Sequence, residues 1–120
     1  MENHKLVLPE HLNQYGFLFG GHLLMWVDEI AWIAATLKFP GCRFVTVGMD
    51  RVEFKRGVSE GAILKFMVEL SRTGRTSVTW EVRVRKEDEA EEIFSTHVTL
   101  VRVDEGGQKT PLPEWEEPLG

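Results

Sequence analysis

The 120-residue chain is poor in cysteine, in positive charge and in long apolar runs, and each shortage removes a class of function. A single cysteine, Cys42, cannot close an intrachain disulfide, so a reducing cytoplasm is the expected setting. Together with His4, His11, His22 and His97 it offers no pair at ligand spacing, and no metal is expected. No apolar run approaches the roughly 20 residues that a membrane helix needs. The start, Met-Glu-Asn-His-Lys, has no basic region followed by an apolar segment, so neither membrane insertion nor an export signal is expected. A formal net charge of −5 argues against a protein that neutralises a phosphate backbone, and no nucleic-acid partner is expected. The glycine-rich stretch lacks the Gly-Lys-Ser/Thr ending of a phosphate loop, and neither Ser59 nor Ser77 stands in a nucleophile-elbow context.

What is present reads as one globular domain, with 42% hydrophobic and 28% charged residues. Residues 1–105 are expected to form it. After Asp104, Gly106-Gly107 and three prolines break all periodicity, so residues 106–120 read as an irregular tail. Trp115, flanked by Glu114, Glu116 and Glu117, is either loosely held or packed on a neighbouring subunit.

The chain is organised around residues 13–28, a glycine-punctuated turn that runs into an apolar helix. Gly16 and the Gly20-Gly21 pair allow backbone conformations and close approaches that side chains forbid, although a tight turn alone would also explain them. Residues 21–37 hold helix formers without proline, closed by Pro40 and Gly41. Leu23, Leu24, Val27, Ile30, Ala31, Ala34 and Leu37 make one stripe, and Met25, Trp26, Trp32 and Ile33 cover most of the rest. A helix apolar nearly all round belongs to a core and must be enclosed on more than one side.

Period-two patterning supplies the wrapper. Residues 6–8, stopped by Pro9, suit a short edge strand, and residues 44–54, 63–71, 77–85 and 93–103 read as four longer ones. Their connections, residues 57–61, Thr73-Gly74-Arg75 and the acidic run Glu87, Asp88, Glu89, Glu91, Glu92, look like hairpin turns, the last a solvated one. The result is an α+β arrangement, an antiparallel sheet wrapped around one helix. Its unpaired edges predict a homodimer with a continuous sheet.

One carboxylate on the helix lacks an evident structural reason. Asp28 has Leu24, Met25, Ala31 and Trp32 one turn away, and burial there would disfavour its charged form and raise its basicity, as a general base requires. Glu29 competes on the next face, and either acid could instead be held by a backbone donor or an arginine. The pattern does not choose between them.

Leu8-Pro9, Asn13, Gly16, Phe19-Gly20-Gly21 and Asp28, followed by Phe44-Val45-Thr46-Val47, Val52-Glu53-Phe54, Gly61, Gly74-Arg75-Thr76-Ser77-Val78 and Pro111-Leu112-Pro113, resemble the hotdog-fold acyl-CoA thioesterases. Within them the likeness is to the YciA-like group and the brown-fat and cytosolic acyl-CoA hydrolases, over roughly residues 6–113. The resemblance implies dimers that often join as trimers of dimers, an active site between two subunits, and Asn13 of one chain near Asp28 of the other. It also implies acyl-CoA as substrate, with coenzyme A part of the substrate and no separate cofactor.

On that reading Asp28 activates water or attacks the thioester, Gly21 and His22 offer backbone N–H groups at the helix N-terminus to the oxyanion, and Asn13 orients water or thioester. Gly20 allows close approach. Lys55, Arg56, Arg72 and Arg75 are candidates for the phosphates of coenzyme A, and the resemblance places further contacts at Gly74, Thr76 and Ser77. Phe17, Leu18, Met25, Trp26 and Trp32 could line an acyl or aryl pocket. His11 stands where the family commonly has an acid, so the turn is expected to be held differently, and Gly57 replaces a common proline. A non-catalytic acyl-CoA sensing module and a hotdog hydratase or dehydratase are the alternatives.

Overall fold

The structure, a computed structural model, describes residues 1–115. Five strands, β1 (Glu2–Leu6), β2 (Arg43–Phe54), β3 (Ile63–Thr73), β4 (Ser77–Lys86) and β5 (Glu92–Val103), accompany one long helix, α1 (Gly20–Lys38). The strands form one antiparallel sheet in the order β1-β3-β4-β5-β2. Val78, Trp80, Val82 and Val84 of β4 alternate inward as their period-two pattern dictates, and face the helix side with Phe66 and Leu64 of β3.

Two expectations are corrected here. The first strand is Glu2–Leu6 rather than residues 6–8: its side chains before Leu6 are polar, and pairing with β3 rather than β propensity holds it. Val7 follows it into the core and Pro9 opens a single 3-10 turn, Pro9–His11. Residues 55–62 are a crossing and not a hairpin, because β2 pairs with β5 while β3 lies two strands further on. Periodicity reveals a strand but not its neighbour.

The helix is enclosed on one side only. Leu23, Trp26, Val27, Ile30, Ala31, Ala34 and Ala35 are buried on the sheet, whereas Met25 and Trp32 are 55% and 44% exposed. Leu37 is exposed as well. The helix ends where Phe39 N–H donates to the Ala35 carbonyl at 2.9 Å and Gly41 turns away at φ +82°. Strand β2 is equally open. Phe44 is its one buried residue, and two register shifts, at Thr46/Gly48 and Asp50/Glu53, bend it at the sheet edge.

Beyond β5 the chain doubles back. Asp104 Oδ1 accepts from the N–H groups of Gly106 and Gln108 at 2.9 and 3.0 Å, and Thr110 N–H donates to the Arg102 carbonyl at 3.0 Å. Leu112 then enters the hydrophobic core, and its N–H reaches the Arg75 carbonyl at 2.9 Å. Trp115 is half-buried. The rest of the expected tail, residues 116–120 with Glu116 and Glu117, lies outside the described residues.

Candidate active site

The loop before the helix is built around Asn13. Its Oδ1 accepts from the N–H groups of Tyr15 (2.9 Å) and Phe17 (3.1 Å), and its own N–H donates to the Phe17 carbonyl at 2.7 Å. A short amide side chain that bonds its own backbone is the usual device of such turns. Gly16, at φ +84°, closes the loop with a 3.1 Å bond to the Asn13 carbonyl. The acceptor of Asn13 is therefore used inside the loop, and its NH2 group has no partner among the described residues. The sequence reading gave Asn13 both roles; the fold leaves it the donor.

His11, where the family commonly has an acid, holds the turn through its ring. Its Nδ1 accepts from Leu8 N–H at 3.0 Å, and its ring meets those of His22 and Trp26 at centroid distances of 5.2 and 4.8 Å. Trp26 is buried in the core.

At the helix start the two glycines carry free donors. Among the described residues, the N–H groups of Gly20 and Gly21 have no hydrogen-bond partner, as the first turn of a helix dictates. His22 is a correction: its N–H donates to the Phe19 carbonyl at 3.0 Å, a tightened first turn that takes the donor expected for the oxyanion.

The fold separates the two acids that the pattern could not. Glu29 points to the surface, 3.9 Å from Lys5 Nζ. Asp28 is half-buried, and its Oδ1 accepts from the Thr46 hydroxyl of β2 at 2.5 Å. It shares a helical stripe, at i−3 and i+4, with the exposed Met25 and Trp32. Its expected apolar enclosure is thus only half supplied by its own chain.

Asn13 and Asp28 do not meet within one chain. Gly20 and Asp28 are eight helical residues apart, about 12 Å along the axis. The two groups of cation and turn candidates are also separated. Lys55 adjoins Ile93 through a 2.8 Å backbone bond, while Ser77 pairs with Val101. Ile93 and Val101 are eight residue steps apart along β5, about 26 Å of strand. Thr46 pairs with Leu100, so Asp28 belongs to the Ser77 end and Asn13 to the Lys55 end.

The acidic run is not merely solvated. Glu92 takes Lys55 at 2.6 Å and Glu91 takes Arg56 at 2.6 Å, with Glu89 3.7 Å from the same guanidinium. The hydrogen bond from Lys55 to Glu92 holds the ammonium above the usual lysine range. Arg72 is exposed and has no partner among the described residues. At the other turn Gly74 N–H donates to the Ser77 carbonyl at 2.8 Å, where a Cβ on Gly74 would stand 2.7 Å from Ser77 Oγ. The Thr76 carbonyl accepts from Arg102 N–H at 2.8 Å, which fixes the turn against β5.

Two functional candidates escaped the sequence reading. Thr46 stood in the Phe44-Val45-Thr46-Val47 motif of the resemblance without a role of its own, and its contact with Asp28 is a tertiary fact. Phe54, at the end of β2, stood in the Val52-Glu53-Phe54 motif of the resemblance without a role of its own, and its ring lies over Gly20, 3.2 Å from the place of a Cβ there.

One helix packed on a five-stranded antiparallel sheet, with a glycine turn at its start and an acid midway along it, is the hotdog fold. Residues 15–93 match the thioesterase superfamily, and the chain belongs to that family. It is 32% identical over 115 residues to the protein VdlD of Helicobacter pylori, a match that covers 92% of this chain and 65% of that one. An uncharacterized acyl-CoA thioester hydrolase of Zymomonas mobilis is 33% identical, over 93% of this chain and 77% of its own. The chain thus spans just under two thirds of the Helicobacter relative. Among solved structures it is similar to a hexameric thioesterase of Yersinia pestis, with a TM-score of 0.86, 28% identity and 94% of each chain covered. It is also similar to an acyl-CoA hydrolase of Staphylococcus aureus in complex with butyryl coenzyme A, coenzyme A and coenzyme A disulfide. That TM-score is 0.85, with 29% identity over 94% of this chain and 71% of the other. The Staphylococcus hydrolase has also been solved with a single aspartate, threonine or asparagine replaced by alanine.

Proposed function

We propose that the protein is an acyl-CoA thioesterase, which hydrolyses the thioester to a free acid and coenzyme A. The observation that carries this is Asp28: a half-buried carboxylate, oriented by the Thr46 hydroxyl, on the helix stripe that the chain leaves open. Water is a weak nucleophile at neutral pH, and a positioned carboxylate that takes its proton lowers the barrier. Oxygen then adds to the thioester carbon, negative charge gathers on the carbonyl oxygen, and the free N–H groups of Gly20 and Gly21 meet it with the helix dipole behind them. Collapse expels the sulfur, which recovers the proton from Asp28. Direct attack by Asp28, with an anhydride that water later opens, uses the same groups. The NH2 of Asn13 holds the water or the thioester oxygen.

A complete site requires two chains. Antiparallel pairing of two β2 edges about a twofold axis would set the Phe44 end of one strand beside the Phe54 end of the other, and so bring one chain's Asp28 to its partner's Asn13. The same pairing would join the two cation patches into one site for coenzyme A. The hexamers among the similar structures favour further assembly as a trimer of dimers. Acyl-CoA as substrate and the lone Cys42 favour the cytoplasm, with neither membrane nor nucleic acid as partner.

Release of free thiol from a panel of acyl-CoAs tests the reading. Asp28→Ala and Asn13→Ala are expected to lower turnover by about a hundredfold or more. Binding of acyl-CoA without any thiol release would sink it.

A further inference from the structure

We propose that His11 is a positioning residue for the hydrolysis: its neutral ring anchors both the turn that carries Asn13 and the start of the helix, and acid releases the anchor. The role rests on the thioesterase reading above. His11 is half-buried and ends the short turn Pro9–His11. Its side chain reaches back to the residue before that turn, where Nδ1 accepts from Leu8 N–H at 3.0 Å, and its own N–H donates to the Leu8 carbonyl at 2.9 Å. A side chain that reaches back in this way to cap the N–H ahead of a helical turn fixes the path of the entering chain.

The main chain of His11 carries this hold to the site. Its carbonyl accepts from Phe19 N–H at 2.9 Å. Phe19 is the residue before α1, and no side chain caps the helix there. The Phe19 carbonyl in turn takes the N–H groups of His22 and Leu23 at 3.0 and 3.3 Å. Leu12 and Leu18 form an antiparallel bridge just inside the His11–Phe19 bond, so the Asn13 loop closes on that bond. Gly20 and Gly21 follow Phe19 directly. The amide donor of Asn13 and the free donors of the helix start therefore share one anchor, built within one chain.

The ring packing makes that anchor sensitive to a proton. Trp26, buried, meets the His11 ring edge-on, with centroids 4.8 Å apart and planes at 86°. His22 of α1 stands 5.2 Å from it. A proton on the accepting Nδ1 would turn the bond to Leu8 into N–H against N–H, and the bond would be lost. Charge on both imidazoles would add repulsion across the His11–His22 pair. The carboxylates nearby are otherwise placed: Glu10, next to His11 in the chain, is exposed, and Glu29, on the helix beyond Trp26, lies 3.9 Å from Lys5 of β1. Among the described residues neither of them bonds either ring.

Two measurements test the role. The first is magnetic resonance of protein isotope-labelled at histidine, phenylalanine and glycine. His11, identified by the signals that His11→Asn removes, should show the Nε2–H form at about pH 8, and the Phe19 and Gly20 amide signals should move with its ring as the pH falls to about 5. The second is thiol release from acyl-CoA over the same range. His11→Leu, which has no acceptor, should lower kcat about fivefold at about pH 8 and change KM little, because the donors it displaces act on the transition state. His11→Asn sets an uncharged acceptor where Nδ1 stands. It should recover most of that loss at about pH 8 and exceed the unaltered protein about fivefold at about pH 5, a ratio in which any acid loss at Asp28 cancels.

An Nδ1–H form of His11, Phe19 and Gly20 amides that ignore its titration, a folded His11→Leu protein with unchanged kcat, or a His11→Asn protein that falls with acid as the unaltered one does overturns the proposal. Should His11→Leu fail to fold, the resonance titration and the His11→Asn ratio still decide. Absence of thiol release with every acyl-CoA would end the hydrolase reading, while the resonance titration would still show whether His11 anchors the helix start.

Discussion

Asp28 and Glu29 are neighbours in sequence and differ in what the fold gives them. A helix turns 100° per residue, so one acid reaches β2 and the other reaches Lys5 at the surface. The sequence showed that an acid sat among apolar residues; it did not show which, because the choice depends on where the sheet lies. Thr46 is the group that makes the distinction chemical. If its hydroxyl fixes the Asp28 carboxylate, Thr46→Val, which preserves shape and removes the donor, should lower kcat about tenfold and leave KM nearly unchanged, as loss of one hydrogen bond to a charged group predicts. Thr46→Ser should restore most of it. An unchanged kcat for Thr46→Val, measured by thiol release, would reduce the contact to packing. His22 is the opposite case, since its place at the helix N-terminus was legible while the Phe19 carbonyl that occupies its N–H was not.

Among the elements, those with clean periodicity were legible to within a residue or two. The helix and β3 to β5 announce themselves because each buries one face, and burial writes its period into the residue types, whereas β2, with Phe44 alone buried, shows through its β-branched and aromatic residues. Strand β1 does not, because Glu2, Asn3, His4 and Lys5 hold it by backbone pairing and by side-chain contacts instead: an ion pair of Glu2 with Lys65 at 3.3 Å and a hydrogen bond of His4 with Glu87 at 2.8 Å. The hydrogen bond from His4 keeps the Glu87 carboxyl below the ordinary carboxylate value of 4.5. A carboxyl whose folded value is depressed adds stability that is present above the unfolded value and is lost as pH falls through the folded one. The advantage of the unaltered protein over Glu87→Gln, small because the pair is exposed, should thus be steady above the usual carboxylate range and vanish below it. Urea unfolding of both proteins across that range measures this; an advantage that grows toward acid would contradict the pairing.

At the scale of the whole molecule the chain has the proportions of half an object. Its accessible surface of 7370 Å² exceeds the roughly 6600 Å² expected of a compact monomer of this mass. Its radius of gyration of 16.0 Å exceeds the roughly 14 Å expected for its length. Met25, Trp32, Val45 and Val47 stand open along the helix and β2, whose outer edge has no partner strand among the described residues, and Asp28 is among them. A site split between the two ends of β2 makes a prediction that no single-chain site shares. Asn13→Ala and Asp28→Ala proteins, each inactive alone, should regain thiol release when mixed and allowed to exchange subunits, because every mixed dimer contains one pairing of an intact Asn13 with an intact Asp28. Equal mixing makes half of the dimers mixed, with one of two sites restored in each, so about a quarter of full activity should return. Val47→Lys, at an edge position 56% exposed, should block the pairing, give a mass near 13.8 kDa by light scattering at micromolar concentration, and abolish turnover. A monomer with full activity, or mixtures that stay as inactive as their parts after exchange is verified, would return the whole site to one chain, where 12 Å of helix (about eight residues) keeps its two ends apart.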